Sequence, residues 1–388
     1  MLNSFKFLLN KYVVTVLWFG LSLFAVIKQA AGHQINNWFI YKYVFINLTH
    51  HENLYTQQPA HFFDSNHYGP VFALLIAPFT IVPDFVGVIL WVMFNALMLY
   101  IAITQLPLKE ILKVPILLIC AHELMTASFN VQFNPTMTAL IIMSYVFVNR
   151  KQDIWATLMI AIGIYIKLYG IVGLAFFFFS KDKLKFIWTF LMWMVVLFVA
   201  PMLISSKDFV IQCYHDWYNS LAHKNNENTD SVMQDISVMG MIRRIFGFHN
   251  LSNVLVILPG FALLLMAYIR TRLFNNVNYQ LLLLCSVLLF TVIFSTGSES
   301  PTYIIAFTGV GIWFMNLKRP VSGFEIFLLV FALIITSLSP SDLFPQSVNR
   351  NFIRPYALKA LPCLLIWLKI IHETLTRKFK PTNSTVAV

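Results

Sequence analysis

Long apolar runs, separated by short polar stretches, recur along the whole chain. A run of about 20 apolar residues is long enough to cross the hydrocarbon core of a bilayer as an α-helix. The pattern therefore predicts an all-α fold, a polytopic bundle of transmembrane helices. The runs lie at about 8–28, 84–106, 114–128, 134–149, 152–179, 184–204, 250–269, 276–295, 300–315, 322–338 and 355–371.

Two stretches need separate interpretation. The run at 152–179 is long for one span and is interrupted by Lys167, which predicts two short, tilted or broken helices and about 12 spans in all. The stretch at 69–83 is short and bounded by prolines, which is typical of either a further span or a helix on the membrane surface. The first run lacks a small-x-small cleavage site, so we expect it to be retained as a span.

The distribution of basic residues favours one topology. Suppose that 69–83 does not cross the membrane and that 152–179 crosses it twice. Every connection on one side then carries at least two Lys or Arg. The short turns on the other side, at 129–134 and 295–300, carry none. Short basic loops remain cytoplasmic, so both termini are predicted to be cytoplasmic. The outer side then carries three long segments, at 29–83, 205–249 and 339–354.

Composition agrees with this architecture. Apolar residues make up 59% and charged residues 11% of the 388 residues, whereas a soluble domain carries about 25% charged residues. An ordinary soluble enzyme, a disordered chain and a fibrous repeat are therefore excluded. The net charge of +11 is explained by basic cytoplasmic loops and implies no nucleic-acid partner. The four cysteines are widely spaced, which predicts neither a disulfide framework nor a redox pair.

The outer segments carry the candidate chemistry. Asp64 precedes an aromatic–Gly–Pro step that begins an apolar helix, so its carboxylate is expected at the water–lipid boundary. There it can take the proton of a sugar hydroxyl while the lipid part of a substrate stays in the bilayer, or it can simply cap the helix. Most of the histidines also lie in these segments, but their spacing matches no metal-ligand pattern, so we predict neither a metal nor another cofactor.

Three basic residues stand where positive charge is unusual. Arg243 and Arg244 lie in an outer segment, where guanidinium groups can bind a phosphate or an anionic lipid headgroup. Lys167 interrupts an apolar run, where a charge usually faces a cavity or a partner, or else extends to the membrane surface. Asp235 is a second candidate base, and Glu299 lies at a helix end that faces outwards.

Carboxylates and phosphate-binding cations at an outer cavity fit the transfer of a sugar from a polyprenyl-phosphate donor. The lipid phosphate leaves, a carboxylate takes the proton of the acceptor hydroxyl, and attack on the opposite face inverts the anomeric centre. Two other functions remain open. A lipid-linked sugar transporter or flippase predicts inverted repeats, and a polysaccharide polymerase or ligase usually needs several arginines in one long outer segment. The chain has no evident repeat, and its outer arginines are divided between two segments.

Several short motifs follow one another in a characteristic order. They are Leu54–Tyr55, Tyr68, Pro70, Phe72–Leu75, Ala77–Pro78, Trp91 and Asn95, then the polar turn Asn130–Asn134, Lys167, and a stretch with Gln234, Ser237, Gly240 and Arg243 or Arg244. Over roughly residues 8–371, this order resembles glycosyltransferase family 87, membrane-embedded mannosyltransferases of the GT-C fold that use polyprenol-phosphomannose. The resemblance implies one GT-C domain over residues 1–388, with amphipathic surface helices in the first outer segment.

The resemblance also implies partners and a location. The donor is a polyprenyl-phosphate hexose, by default mannose, and the acceptor is a lipid or a glycan. The location is a bacterial inner membrane, with the active site facing the periplasm or the exterior. Together, residues and resemblance predict catalytic, donor-phosphate and substrate-binding groups. The expected catalytic residue is Asp64 or Asp235. The donor phosphate is expected to be bound by Lys167, Arg243 and Arg244, and the substrate by His67, Tyr68, Asn134 and Glu299.

The chain departs from the family pattern at two places. The family usually has two prolines before the Phe-Ala-Leu-Leu motif, whereas Gly69 precedes Pro70 here. Many members carry an aspartate soon after the first span, where this chain has Asn36 and Asn37. An amide cannot act as a general base, so the role is expected to move to Asp64, with Asp235 as the second choice.

Overall fold

The computed structural model describes residues 9–231 and 233–379, without the side chains of Asn226, Thr229 and Asp230. Within these ranges the regular secondary structure is helical and contains no β-strand. The all-α prediction is therefore confirmed. Contacts divide the chain into two compact units. Unit 1 consists of Met1–Leu106 and Ala121–Asn228, and unit 2 of Pro107–Cys120 and Thr229–Val388.

Unit 1 is a bundle in which α1 (Lys11–Ala31) packs against α4 (Asp84–Thr104), α2 (Asn36–His50) against α3 (Phe72–Thr80), and α6 (Asn134–Asn149) between α4 and α7 (Asp153–Lys167). Trp18 of α1 donates its indole N–H to the carbonyl of Ala96 on α4 at 2.9 Å. The elements are α1 (Lys11–Ala31), α2 (Asn36–His50), α3 (Phe72–Thr80), α4 (Asp84–Thr104), the second half of α5 (Glu110–Phe129), α6 (Asn134–Asn149), α7 (Asp153–Lys167), a 3₁₀ helix (Tyr169–Phe179), α8 (Lys183–Val199), a 3₁₀ turn (Ala200–Leu203) and α9 (Lys207–Asp230).

Unit 2 is built around α12 (Val277–Ile293), which is buried on nearly every side and packs against α13 (Tyr303–Met315) and α15 (Ala360–Thr376). A helix that is apolar all round belongs in the interior of a bundle. The elements are the first half of α5, α10 (Val238–Phe246), α11 (Asn253–Met266), a 3₁₀ turn (Thr271–Leu273), α12 (Val277–Ile293), a 3₁₀ turn (Ser300–Thr302), α13 (Tyr303–Met315), α14 (Gly323–Phe331), a π-helix (Ala332–Leu338), short turns at Gln346–Val348 and Asn349–Ile353, and α15 (Ala360–Thr376).

Several of the described helices have the length and apolarity that a membrane span needs. The segment Lys183–Leu203 also exposes large apolar side chains, among them Trp188 at 70% and Val195 at 65%. Such a surface is unfavourable in water and favourable in lipid. The helices long enough to cross are Lys11–Ala31, Asp84–Thr104, Glu110–Phe129 and Lys183–Leu203, and shorter apolar ones are Tyr169–Phe179, Asn253–Met266, Val277–Ile293, Ser300–Met315 and Gly323–Leu338.

The short stretch at 69–83 forms α3, a helix of nine residues that contains Pro78. At 1.5 Å per residue it is about 14 Å long, which is well short of a hydrocarbon core of about 30 Å. This helix therefore does not cross on its own, in agreement with the topology that the basic residues favour. The number of spans and the side of the termini stay predictions.

The apolar run at 152–179 breaks where its lysine predicted a break. Helix α7 ends at Lys167, and Leu168 then has a left-handed backbone with φ 45°. The following 3₁₀ helix packs back against α7. Two glycines make this possible, since a Cβ on Gly170 would lie 2.4 Å from the carbonyl carbon of Gly163.

We expect Gly170→Leu to destabilise unit 1, because a side chain there must push the 3₁₀ helix away from α7. Overpacking of this kind typically costs about 1–3 kcal/mol. Thermal unfolding of the purified protein in detergent, followed by tryptophan fluorescence, measures the effect. Gly20→Leu in α1 is the matched control, since nothing lies within 4 Å of the Cβ it adds. Equal melting temperatures for the two variants would contradict the prediction.

Candidate active site

Lys167, at the end of α7, lies beside two other residues that the sequence singled out. Its ammonium donates a hydrogen bond to Oδ1 of Asn134 at 2.9 Å. It also lies 5.7 Å from the centroid of the Tyr68 ring and 5.3 Å from that of Tyr169. Charge-assisted hydrogen bonds and aromatic faces both stabilise an ammonium ion. We refer to Tyr68, Asn134 and Lys167 as the Lys167 cluster.

The backbone around Tyr68 approaches α7 closely. A Cβ on Gly69 would lie 2.1 Å from the carbonyl oxygen of Tyr165, and the Gly69 N–H donates to the carbonyl of Ile166 at 3.2 Å. A proline at this position would lack that N–H and would carry a ring into the same space. The glycine that departs from the family pattern is therefore required by the approach of this loop to the end of α7.

The loop before α3 docks on one face of α9. His67 places Nδ1 2.9 Å from the hydroxyl of Ser220 and accepts the indole N–H of Trp217 at its carbonyl, also at 2.9 Å. Earlier in the loop, Oδ1 of Asp64 lies 3.5 Å from the ammonium of Lys224. Because these three α9 residues are spaced i, i+3 and i+7, they share a helix face, and α9 positions the loop.

His67 and Asp64, the two candidate groups of this loop, differ in their electrostatic surroundings. Burial, and then the neighbouring Lys224 ammonium, lower the pKa of His67 to about 4, while Asp64 acts in the opposite direction. The imidazole is therefore neutral at pH 7 and can form hydrogen bonds with a neutral hydroxyl. The side chain of Asp64 is 53% exposed, so an acceptor hydroxyl can reach its carboxylate.

Asn36 holds the backbone immediately before Asp64. Its Nδ2 donates to the carbonyl of Phe63 and its Oδ1 accepts the Phe63 N–H, both at 2.8 Å. A carboxylate at position 36 could accept but not donate, and would face the carbonyl oxygen. The Asn36 amide is thus part of the support for the peptide next to Asp64, whose own φ is 75°.

A second group of predicted residues lies in unit 2, where Asp235 is the centre of a buried network. Its carboxylate accepts Nη1 of Arg243 at 2.7 Å and the hydroxyl of Ser237 at 2.6 Å. That hydroxyl also caps α10 by accepting the N–H of Gly240 at 3.1 Å. The side chains of Asp235 and Arg243 are only 1% and 5% exposed. Burial raises the pKa of Asp235, and the hydrogen bonds from Ser237 and Arg243 oppose that shift.

The other residues of this group also hold the backbone. A Cβ on Gly240 would lie 1.9 Å from the carbonyl oxygen of Asp235. Arg243 donates from its other terminal nitrogen to Asn253. Arg244 donates to the carbonyls of Ser231 and Gln234 at 2.8 and 2.6 Å. Both guanidinium groups therefore stabilise the turn before α10, and phosphate binding by them stays a prediction.

Glu299 belongs to the same part of unit 2. Its Oε1 accepts Nε2 of Gln234 at 3.3 Å, and the N–H of Asp235 donates to the carbonyl of Thr296 at 3.0 Å. These contacts join the turn before α13 to the Asp235 network. Substrate binding by Glu299 also stays a prediction.

The structure thus collects the predicted residues into two groups. Asp64, His67, Tyr68, Asn134 and Lys167 lie in unit 1, and Asp235, Arg243, Arg244 and Glu299 lie in unit 2. Sequence reasoning missed the α9 residues that support the first group, although their helical spacing could have shown them. Among the described residues, no three His, Cys, Asp or Glu side chains are grouped as metal ligands would be.

Comparison with known proteins identifies the family. The sequence model of glycosyltransferase family 87 matches residues 66–296, a range that contains both the Lys167 cluster and the Asp235 network and begins just after Asp64. No curated protein and no solved structure matches the chain. Because the matched range covers more than half of the sequence, the chain belongs to glycosyltransferase family 87 and is a glycosyltransferase.

Proposed function

We propose that this glycosyltransferase moves a hexose, by default mannose, from a polyprenyl-phosphate donor to a lipid or glycan acceptor. We place the reaction at the outer face of a bacterial inner membrane, in an enzyme of the GT-C fold. The observation that carries the proposal is the Lys167 cluster. In it an ammonium at the end of an apolar helix is held by Asn134 and Tyr68, near a loop with an exposed carboxylate.

The contacts of unit 1 support the proposed topology. Residues that the basic-residue pattern assigns to the outer side contact one another, although they come from distant segments of the chain. Lys167 contacts Asn134 and Tyr68, and His67 contacts Ser220. Residues on opposite sides of a bilayer would be separated by about 30 Å. These contacts therefore favour a common side for 29–83, 129–134, the break at Lys167 and 205–249, and the pattern of basic residues makes that side the outer one.

The chemistry assigns one role to each group. The Lys167 ammonium offsets the negative charge that develops on the lipid phosphate as it leaves. Asp64 accepts the proton of the acceptor hydroxyl, and the neutral imidazole of His67 orients a hydroxyl through a hydrogen bond. Attack on the face opposite the leaving phosphate inverts the anomeric centre.

The environments of the two candidate bases favour Asp64. Asp235 is buried, and both of its oxygens accept hydrogen bonds, from Ser237 and Arg243. An acceptor hydroxyl can approach it only if this network opens. Asp64 is more than half exposed and lies on a loop that Asn36 holds in place.

We expect Asp64→Asn to lower the transfer rate by about 10²–10⁴-fold, because the amide keeps the size of the side chain but cannot accept the proton. Membranes with equal amounts of each variant are supplied with radiolabelled polyprenyl-phosphate-mannose, and lipid extracts are followed for a labelled glycolipid. Lys224→Gln is the matched control, since it removes the neighbouring charge and keeps the carboxylate. Unchanged transfer by Asp64→Asn would exclude Asp64 as the base.

Asp235→Asn is expected to act on stability. It leaves the buried Arg243 without its counter-ion, and breaking a buried pair in this way costs about 3–5 kcal/mol. Thermal unfolding of the purified variant should therefore shift strongly, whereas Asp64→Asn should unfold like the wild type. A variant of Asp235 that unfolds normally and has lost transfer would instead make Asp235 the base.

The proposed topology predicts which residues a membrane-impermeant maleimide can reach. The four native cysteines are buried, so labelling reports on introduced cysteines. Gln57→Cys, in the first outer segment, should be labelled in intact spheroplasts, and Lys181→Cys should be labelled only after permeabilisation. Labelling of both in intact spheroplasts, or of Lys181→Cys alone, would contradict the topology.

A further inference from the structure

Two phenylalanines that follow one another in the loop before α3 differ sharply in burial. Phe62 is 4% exposed and belongs to the core of unit 1, whereas Phe63 is 77% exposed. Phe63 lies directly before Asp64, the proposed base. The reaction as proposed gives Phe63 no role, although it is the sequence neighbour of the residue that must meet the acceptor.

The backbone of Phe63 is fixed to the start of α2. Its carbonyl accepts Nδ2 of Asn36 and its N–H donates to Oδ1 of Asn36, both at 2.8 Å. A side chain on a fixed backbone loses less conformational freedom when a ligand binds, and that smaller loss makes binding tighter. Phe63 is therefore an exposed aromatic ring on a prepared support.

The surroundings of Phe63 differ from those of lipid-facing side chains. On α8 the exposed apolar residues form a continuous face that includes Leu184, Trp188 and Val195. Phe63 instead lies next to the exposed carboxylate of Asp64. A lipid chain is best covered by a continuous apolar surface, so a single ring beside a charge favours a ligand that is apolar on one face and polar at its edge.

A hexopyranose ring has this combination of surfaces. One face of the sugar ring presents C–H bonds, and its rim presents hydroxyls. The face of an aromatic ring carries partial negative charge, which attracts the weakly positive C–H hydrogens of the sugar. Phe63 can therefore hold a sugar ring while one hydroxyl of that ring meets Asp64.

The Asp64 carboxylate has an oxygen available for that hydroxyl. Its hydrogen bond and its ion pair with the described residues both use Oδ1, which accepts the Ser65 N–H at 2.8 Å and lies 3.5 Å from the Lys224 ammonium. Oδ2 is thus the oxygen that can accept a hydrogen bond from the acceptor.

A second planar side chain lies two residues before Phe63. The exposed ring of His61 stacks on Tyr43 with the ring centroids 4.4 Å apart, and its Nδ1 lies 2.8 Å from the Tyr43 hydroxyl. Tyr43 therefore fixes the orientation of the imidazole. Nε2 is then the ring nitrogen that can bond with a sugar hydroxyl.

We propose that Phe63 is a stacking platform for the acceptor, that the acceptor group is a hexopyranose, and that His61 binds a hydroxyl at the edge of the sugar ring. This inference rests on the proposed function and specifies its acceptor. The oxygen of a sugar hydroxyl bonds to the anomeric carbon of the donor, the bond from that carbon to the phosphate oxygen breaks, and Asp64 takes the hydroxyl proton. A glycolipid and a free glycan both carry such a ring, whereas a simple lipid alcohol or a hydroxyl amino acid does not.

Sugar binding tests the platform without the donor and without transfer activity. The full chain in lipid nanodiscs is titrated with the methyl glycosides of mannose, glucose, galactose and N-acetylglucosamine, and dissociation constants are measured by saturation-transfer NMR. Phe63→Leu should weaken binding of the preferred glycoside about five- to tenfold, because leucine is apolar but has no aromatic face. Phe63→Tyr should bind within about twofold of the wild type, and His61→Ala should weaken binding several-fold.

Three controls make the result specific. Phe85→Leu should bind like the wild type, since Phe85 is also an exposed phenylalanine of unit 1, at 51%, and lies outside this loop. Sorbitol has the hydroxyls of a hexose but no ring, so the wild type and Phe63→Leu should not differ in binding it. Asp64→Asn should still bind the glycoside, because an amide also bonds with a hydroxyl, which separates sugar binding from proton transfer.

The inference is overturned if the wild type binds none of the four glycosides, or if Phe63→Leu binds them like the wild type. Wild-type behaviour of Phe63→Leu together with weakened binding by Phe63→Tyr would identify a lipid-facing anchor instead. Failure of the polyprenyl-phosphate transfer assay leaves a Phe63-dependent sugar site standing. Loss of transfer in Asp64→Asn, with unchanged sugar binding in Phe63→Leu, would keep the proposed function and exclude the platform.

Discussion

A positive charge at the end of an apolar helix must be held by polar or aromatic partners, and much of unit 1 is arranged around this requirement at Lys167. The chain reverses directly after the lysine, which brings Tyr169 back beside the ammonium. The reversal depends on the contact between Gly163 and Gly170. Asn134 completes the arrangement from the start of α6, so a single charge connects α6, α7 and the loop before α3.

The two aspartates show how surroundings give one residue type two different properties. Asp235 is buried, and its oxygens are engaged by Ser237 and Arg243, so its carboxylate stabilises a turn and the start of α10. Asp64 lies on the surface of a loop beside Lys224, where its carboxylate can meet a substrate.

The departures from the family pattern become understandable as local contacts. Gly69 is required because its backbone passes too close to Tyr165 for a side chain, and because its N–H is bonded to Ile166. Asn36 is suited to its place because an amide, unlike a carboxylate, can both donate to and accept from the Phe63 peptide. Asn36 thus contributes to holding the loop that carries Asp64.

The sequence by itself determined the elements that depend on local pattern. The apolar runs predicted the apolar helices, with α6 at its predicted bounds, and the charge of Lys167 predicted the break after α7, whereas α2 and α9 lie where no run was predicted. The order of the motifs predicted the family that the comparison then identified. Hydrophobic periodicity and a charge in an apolar run act within a few residues, so both can be recognised without a fold.

Only the tertiary structure decided which side chains meet. Lys224 lies far along the chain from Asp64, and Lys359 lies 59 residues from Ser300, yet each pair is in contact. The sequence also did not show that Asp235 is buried and that Asp64 is exposed, since both appear in it as single acidic residues in polar segments. Contacts, burial and cavities arise from the packing of distant segments. The residue pattern of one segment does not specify which other segments pack against it.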